Sequence, residues 1–287
     1  MSHIKLYAGV LLLVVAASAC KSNKSAVKTK DVLPGKWAET PIYIDGDSKD
    51  WPSPYPNYDS KAKIGYATAN DGKNLYITME TGDELTQVKI LKGGLTVAVD
   101  TSGKKDPTFT IRYPLPNDNA DLDLSQAGGD KTSAMHTARQ VNQFVHKATE
   151  QANQFSLSGF PGCEGGYMTA QVNTCGIKVK VRLDEYKELV WEAVIPLKVL
   201  YGKETITAAD AGRPVSICFT ATGIKAPKSK GVDNVNGNGS PGMGAPGGQR
   251  NSMPSGGGGQ RSPTNNPLDH LYNTTKTWKQ TTLSWKQ

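Results

Sequence analysis

Across residues 42–75 the apolar side chains fall on alternate positions between clusters of turn-forming residues, and that alternation limits the fold more than any other feature of the 287-residue chain. Successive side chains of a strand point to opposite faces. Ile42 and Ile44, then Ile64 and Tyr66, then Leu75, Ile77 and Met79 therefore each describe a strand with one buried face. Between them stand an acidic turn, Asp45-Gly46-Asp47, that runs on to Trp51, a Pro/Tyr-rich loop ending at Tyr58, and the turn Asn70-Asp71-Gly72. Glycine and asparagine accept the positive φ that tight reversals need, so strand, turn and strand in this succession predict antiparallel hairpins.

The same pattern recurs at residues 94–100, 109–113, 167–172, 177–183 and 215–222, and at 190–195, which runs into a short helical turn after Pro196. One segment differs. From Lys131 to Phe155, Met135, Ala138, Val141, Phe144, Val145 and Ala148 recur in steps of three and four, which predicts an amphipathic helix starting near Thr132, inside an insertion of about residues 117–160. Residues of about 227–267 are mostly Gly, Asn, Ser, Pro and Gln; they cannot bury enough apolar surface to offset their ordering entropy and are expected to be disordered. No Gly-Lys-Ser/Thr closes those glycines, so they are no phosphate-binding loop. Trp278, Leu283 and Trp285 then predict a last strand returning to the sheet. The expectation is an all-β domain over residues 33–287: an antiparallel β-sandwich, jelly-roll-like, with one inserted amphipathic helix and a long disordered Gly-rich insertion.

Residues 1–19 carry Lys5, an apolar run too short to span about 30 Å of hydrocarbon, and small residues up to Cys20; they read as a signal peptide. Ala17-Ser18-Ala19-Cys20 resembles a bacterial lipobox. That resemblance implies acylation of Cys20 and, with several chains at about 0.8 kcal/mol per buried CH₂, durable anchoring. Residues 20–32 then form a polar tether. An exported chain can keep disulfides, and Cys163 and Cys175, in one Gly-rich segment, are the pair most easily closed, across a hairpin. Cys218, in an alternating strand, reads as a core thiol. No paired C-x-x-C supports zinc. The net charge of +7 is spread along the chain without a dense Lys/Arg run, so nucleic-acid binding is not expected.

Ile44-Asp45-Gly46-Asp47 with Asp50-Trp51, then Asn70-Asp71-Gly72 with Asn74-Leu75-Tyr76-Ile77, resemble the opening of carbohydrate-binding modules of family 9. Trp191-Glu192-Ala193-Val194-Ile195-Pro196-Leu197 resembles the same family's strand before a short helix, and Val97-Ala98-Val99-Asp100 its middle strand. The resemblance implies a β-sandwich over residues 42–222 plus the tail. Joined to the lipobox and the Gly/Asn-rich segment, it implies a lipoprotein of the outer membrane of a Bacteroidetes-type bacterium, on its periplasmic or cell-surface face.

Sugar binding needs exposed aromatic faces and polar partners for hydroxyls. Trp51, Tyr55 and Tyr58 are the candidates, although Trp51 at a strand end reads first as a residue that closes the sandwich. Asp45, Asp47 and Asp50 offer oxygens of the kind Ca²⁺ takes, or are solvated turn carboxylates; Asp118, Asp121 and Asp123 stand in the same position. His136 and His146, about 15 Å apart along a helix, cannot share a metal, and no nucleophile motif appears. The expected function is a lipid-anchored, non-catalytic carbohydrate-binding-like module without cofactor other than Ca²⁺. The alternative is an accessory or scaffold subunit of an outer-membrane protein complex with no sugar ligand.

Overall fold

Strand patterning at residues 64–81 closes into a hairpin for a local reason. The Asp71 carboxylate accepts from the backbone N–H of Lys73 and Asn74 at 2.7 and 2.6 Å and from the Tyr76 hydroxyl at 2.8 Å, fixing the turn between two strands. In the computed structural model, which describes residues 32–116, 122, 131–163, 166–169, 173–225 and 268–286, this hairpin is the centre of the smaller of two sheets. The strands in chain order are β1 (Val32–Leu33), β2 (Asn57–Asp59), β3 (Ile64–Asn70), β4 (Asn74–Thr81), β5 (Leu95–Asp100), β6 (Phe109–Arg112), β7 (Gln154–Ser158), β8 (Gly166–Thr169), β9 (Lys178–Leu183), β10 (Leu189–Pro196), β11 (Pro214–Ala221) and β12 (Thr275–Thr282). The smaller sheet runs β2-β3-β4-β10-β9 and the larger β1-β12-β11-β5-β6-β7-β8. Every pairing among them is antiparallel except the short β1 against β12.

The two sheets share one core. Leu75, Ile77, Met79, Trp191, Ala193, Ile195, Val179 and Val181 from the smaller sheet join Val97, Val99, Ile111, Phe155, Leu157, Ile217 and Phe219 from the larger. Tyr66 and Phe219 meet with ring centroids 5.7 Å apart. The Trp191 indole N–H finds its partner on the carbonyl of Tyr113, at 2.8 Å. The chain is therefore an antiparallel β-sandwich, as its alternation predicts. The final strand also returns as expected: β12 lies between β1 and β11, followed by the buried Leu283.

Three local departures have physical causes. Residues 42–44 form no ladder: Ile42 and Ile44 do point inward together, but against the outer face of the smaller sheet rather than a partner strand. A helix α1 (Glu84–Gly93), not expected from the sequence, follows β4. Its side chains are buried almost all round, from Thr86 to Leu91, so it lacks the polar stripe that would reveal a helical period. It starts at Asp83, whose carboxylate caps the Thr86 N–H at 2.9 Å. The predicted amphipathic helix is present as α2 (Lys131–Gln151), but it stops there; Phe155 belongs to β7 in the larger sheet. Val141, Phe144, Val145 and Ala148 of α2 are buried in the shared core. Two short helices, α3 (Leu197–Tyr201) and α4 (Asp269–Tyr272), follow β10 and precede β12.

The Cys163–Cys175 disulfide is formed. Rather than crossing a hairpin, it joins the turn after β7 to the turn before β9, and so links the larger sheet to the smaller. Cys218 is a buried free thiol. Residues 1–31, with Cys20 and the signal peptide, lie outside the described residues, as do Asp118, Asp121, Asp123 and residues 226–267.

Candidate functional site

The outer face of the smaller sheet is roofed by the chain before β2. Trp51, Ala67, Ala69, Tyr76 and Val194 form a second, separate apolar cluster there, edged by Ala38, Ile42, Ile44 and Tyr55. At its centre stands a polar residue, Glu192, fully buried among the apolar residues of β10. Its Oε1 accepts from the Trp51 indole at 2.7 Å, and its Oε2 from the backbone N–H groups of Asp45 and Gly46 at 3.2 and 2.7 Å. Burial pushes this carboxyl up to about 7, against the pull of the three donors, which favour the ionised form.

Gly46 makes this arrangement feasible. It sits at φ +81°, and a Cβ there would come within 2.6 Å of the Arg182 side chain. The turn thus lies flat on β9 because residue 46 has no side chain.

The sequence-predicted residues divide sharply in this setting. Trp51 is 6 % exposed and holds Glu192, so its ring is spent on the roof. Tyr55 lies against Gly65, its hydroxyl 3.0 Å from Thr78 Oγ1, and burial raises its pKa further above the phenol range. Tyr58, on edge strand β2, is 66 % exposed. The three aspartates are engaged in the turn itself: Asp45 accepts from the Asp47 N–H at 2.8 Å, Asp50 from the Tyr43 N–H at 2.8 Å, and Asp47 from the Lys49 N–H at 3.1 Å while pairing with the Lys49 ammonium. That last contact holds Asp47 below the usual carboxylate range. Among the described residues no three His, Cys, Asp or Glu side chains gather as metal ligands.

Beside this turn opens a cleft of about 310 Å³ between residues 46–53 and the tip of the β9–β10 hairpin. Arg182, Asp184, Glu185 and Tyr186 form one wall, and Asp47, Ser48, Lys49 and Ser53 the other. The tip is rigid by construction: Asp184 accepts from the N–H groups of Tyr186 and Glu188 at 2.9 and 2.8 Å. Tyr186 is 77 % exposed and lines the cleft. Glu80 lies near Glu188 and Asp184; burial first, then those two charges, push it up to about 7. The arrangement combines an exposed aromatic residue with hydroxyl, carboxylate and guanidinium groups around one cleft, of which Asp184 is anchored by two backbone N–H groups.

Arg182, Asp184, Tyr186 and Glu192 were not singled out as site residues from the sequence. Glu192 carried a signal in the resemblance itself, an acid inside an apolar strand, which needs buried donors. Residues 178–183 carried another, cations alternating with apolar residues.

No protein-family model matches this chain, and no curated protein matches it either. Among solved structures it is similar to a family 9 carbohydrate-binding module from Caldicellulosiruptor kristjanssonii in complex with glucose: 10 % identity, a TM-score of 0.29, and coverage of 66 % of this chain and 77 % of that one. A structure of a family 9 module from the same organism in complex with cellotriose gives 11 % identity, a TM-score of 0.29, and coverage of 66 % and 75 %. A superposition this loose says nothing of a ligand.

Proposed function

We propose that this chain is a non-catalytic glycan-binding module, held at the outer membrane by lipid on Cys20, on its periplasmic or surface face. The observation that carries the reading is the cleft beside the Asp45–Gly46 turn. A pyranose can lay its C–H face on the exposed Tyr186 ring while Arg182, Asp184, Glu185 and Ser48 meet its hydroxyls. Few such polar groups on an otherwise rigid frame are what orient a small ligand. Tyr58 offers another open ring on β2, at the opposite edge of the same sheet. The full chain, purified in mild detergent, is expected to be retained on a polysaccharide array and to lose retention as Tyr186→Ala. Absence of retention on every polysaccharide ends the reading.

One observation favours the scaffold alternative. The outer side of α2 is open, with Met135 76 % exposed beside Arg139, His146, Lys147 and Lys187 around a hollow of about 720 Å³. A membrane-protein partner seated there would co-purify in mild detergent and be released by Met135→Asp, with Tyr186→Ala leaving it in place.

A further inference from the structure

The smaller sheet ends on β9, and the outward side chains of that strand are all cationic. Lys178, Lys180 and Arg182 are exposed, while Val179 and Val181 between them are buried in the core. At about 3.3 Å of rise per residue, the three stand roughly 7 Å apart in a straight row. Register pairs them with Val194, Glu192 and Val190 of β10, so the carboxylate that β10 sets against the row is Glu192, directly opposite Lys180, while Asp47 of the roof feels the charge of Arg182. That carboxylate is withdrawn. Both of its oxygens are taken by the N–H groups of Trp51, Asp45 and Gly46, beneath the roof they build. Gly46 in turn rests on the stems of Lys180 and Arg182, which fixes where the row leaves the sheet. Among the described residues none of the three cations forms a salt bridge. At its upper end the row enters the cleft, because Arg182 is also a cleft wall.

We propose that this row selects anionic polysaccharides: chains that carry carboxylate, sulfate or phosphate groups at regular intervals. The inference deepens the glycan-binding reading and rests on it. One sugar lies against Tyr186 in the cleft, and the acidic groups of the residues that follow run down β9 from Arg182 to Lys178. Single-stranded DNA fits less well, because Asp47, Asp184 and Glu185 line the same cleft and accept hydrogen bonds from the free hydroxyls that a polysaccharide residue offers, whereas an internal deoxyribose has none. Charges on an edge strand also guard against pairing with another chain. That role needs no common face, and it gives no reason for the opposing carboxylate to be engaged elsewhere.

The test uses the full chain in mild detergent and four probes: polygalacturonate, dextran sulfate, neutral mannan and single-stranded DNA, followed by affinity electrophoresis. Retention by at least one of the two anionic polysaccharides, stronger than by mannan or DNA, is expected. Polygalacturonate and dextran sulfate separate a carboxylate from a sulfate preference. Raising salt from about 0.1 M to about 1 M shortens the screening length from about 10 Å to about 3 Å and should abolish that preference. The triple variant Lys178→Ala, Lys180→Ala, Arg182→Ala should weaken retention about tenfold, since exposed charge pairs contribute little singly and act here as a row. A control that removes equal charge from α2 and the β5–β6 turn, Arg139→Ala, Lys147→Ala, Lys104→Ala, should leave retention unchanged. Equal or better retention by mannan overturns the inference while leaving glycan binding intact. Equal loss in both triple variants, or DNA bound as tightly as polysaccharide, overturns it as mere net charge. No retention by any polysaccharide removes both readings together.

Discussion

Along β4 and β10, neighbouring residues enter two different environments. Leu75, Ile77 and Met79, with Trp191, Ala193 and Ile195, face the larger sheet in a continuous apolar core. Tyr76, Thr78 and Glu80, with Glu192 and Val194 between the others, face the roof formed by residues 37–56. The inner face is held by volume and area removed from water, with few polar atoms to satisfy. The outer face is held by a small apolar cluster pinned at one carboxylate, and the cleft proposed for sugar adjoins it. Stability of the inner face should therefore depend on shape, and that of the outer face on protonation.

The largest effect should come from breaking the inner face. Trp191→Ala removes a fully buried indole and leaves the Tyr113 carbonyl without its donor; a loss of about 3–5 kcal/mol is expected in urea unfolding. A loss below about 1 kcal/mol would mean that the two sheets do not depend on this contact.

The outer face should respond to pH. Glu192 sits at about 7 when folded, against 4.5 for a free glutamate. Its folded value is the higher one, so its contribution is complete below pH 4.5 and is lost as pH rises through about 7. The change is on the order of 3 kcal/mol, since each pH unit between 4.5 and about 7 contributes about 1.4 kcal/mol. Glu192→Gln should flatten the fall in stability between about pH 5 and about pH 7.5. It should also cost about 1–3 kcal/mol throughout, since its amide NH₂ faces an N–H donor. Glu80, also pushed up to about 7, keeps part of the slope in the variant. An unchanged slope in thermal melts across that range would refute the assignment.

The disulfide offers a sharper comparison, since it packs with the inner core, apart from the outer cluster, and ties the sheets at one side. Replacing Cys163 and Cys175 by serine opens a loop with a sequence separation of 12. About 2–3 kcal/mol should be lost from unfolding in oxidising buffer, with no change in the Glu192 pH slope. A changed slope would show that the roof and the tie are coupled.

How much of this the sequence revealed depends on which face a residue serves. Ile77, Trp191 and Ile217 were legible because one-sided burial leaves an alternating trace. The trace misled at Ile42 and Ile44, which alternate for the same reason but pack against a sheet without joining it. Phe155 continued the spacing of α2 and so read as helix, although Ala152 and Asn153 already end it. α1 left no period because it is buried all round. At the site, the Cys163–Cys175 pair was visible from proximity alone. Trp51 was visible as an aromatic at a strand end, but its partner Glu192 lies 141 residues away in the chain, and no local pattern joins them. Tyr186 and Arg182 became candidates only when the hairpin tip was placed beside the turn.

The smallest effect on stability should accompany the largest on binding. Tyr186 is exposed and makes its hydrogen bond through the backbone, so Tyr186→Ala keeps the Asp184 turn and should shift stability by no more than about 0.5 kcal/mol. Tyr58→Ala, on the edge strand, should be equally mild. If glycan retention nonetheless falls with Tyr186→Ala while the melting curve is unchanged, the open ring at the cleft is the contact and the roof beneath is its support. If retention instead follows Trp51→Phe, which leaves Glu192 Oε1 without its donor, the ligand depends on the roof itself, and the division between a structural outer cluster and an open binding rim fails.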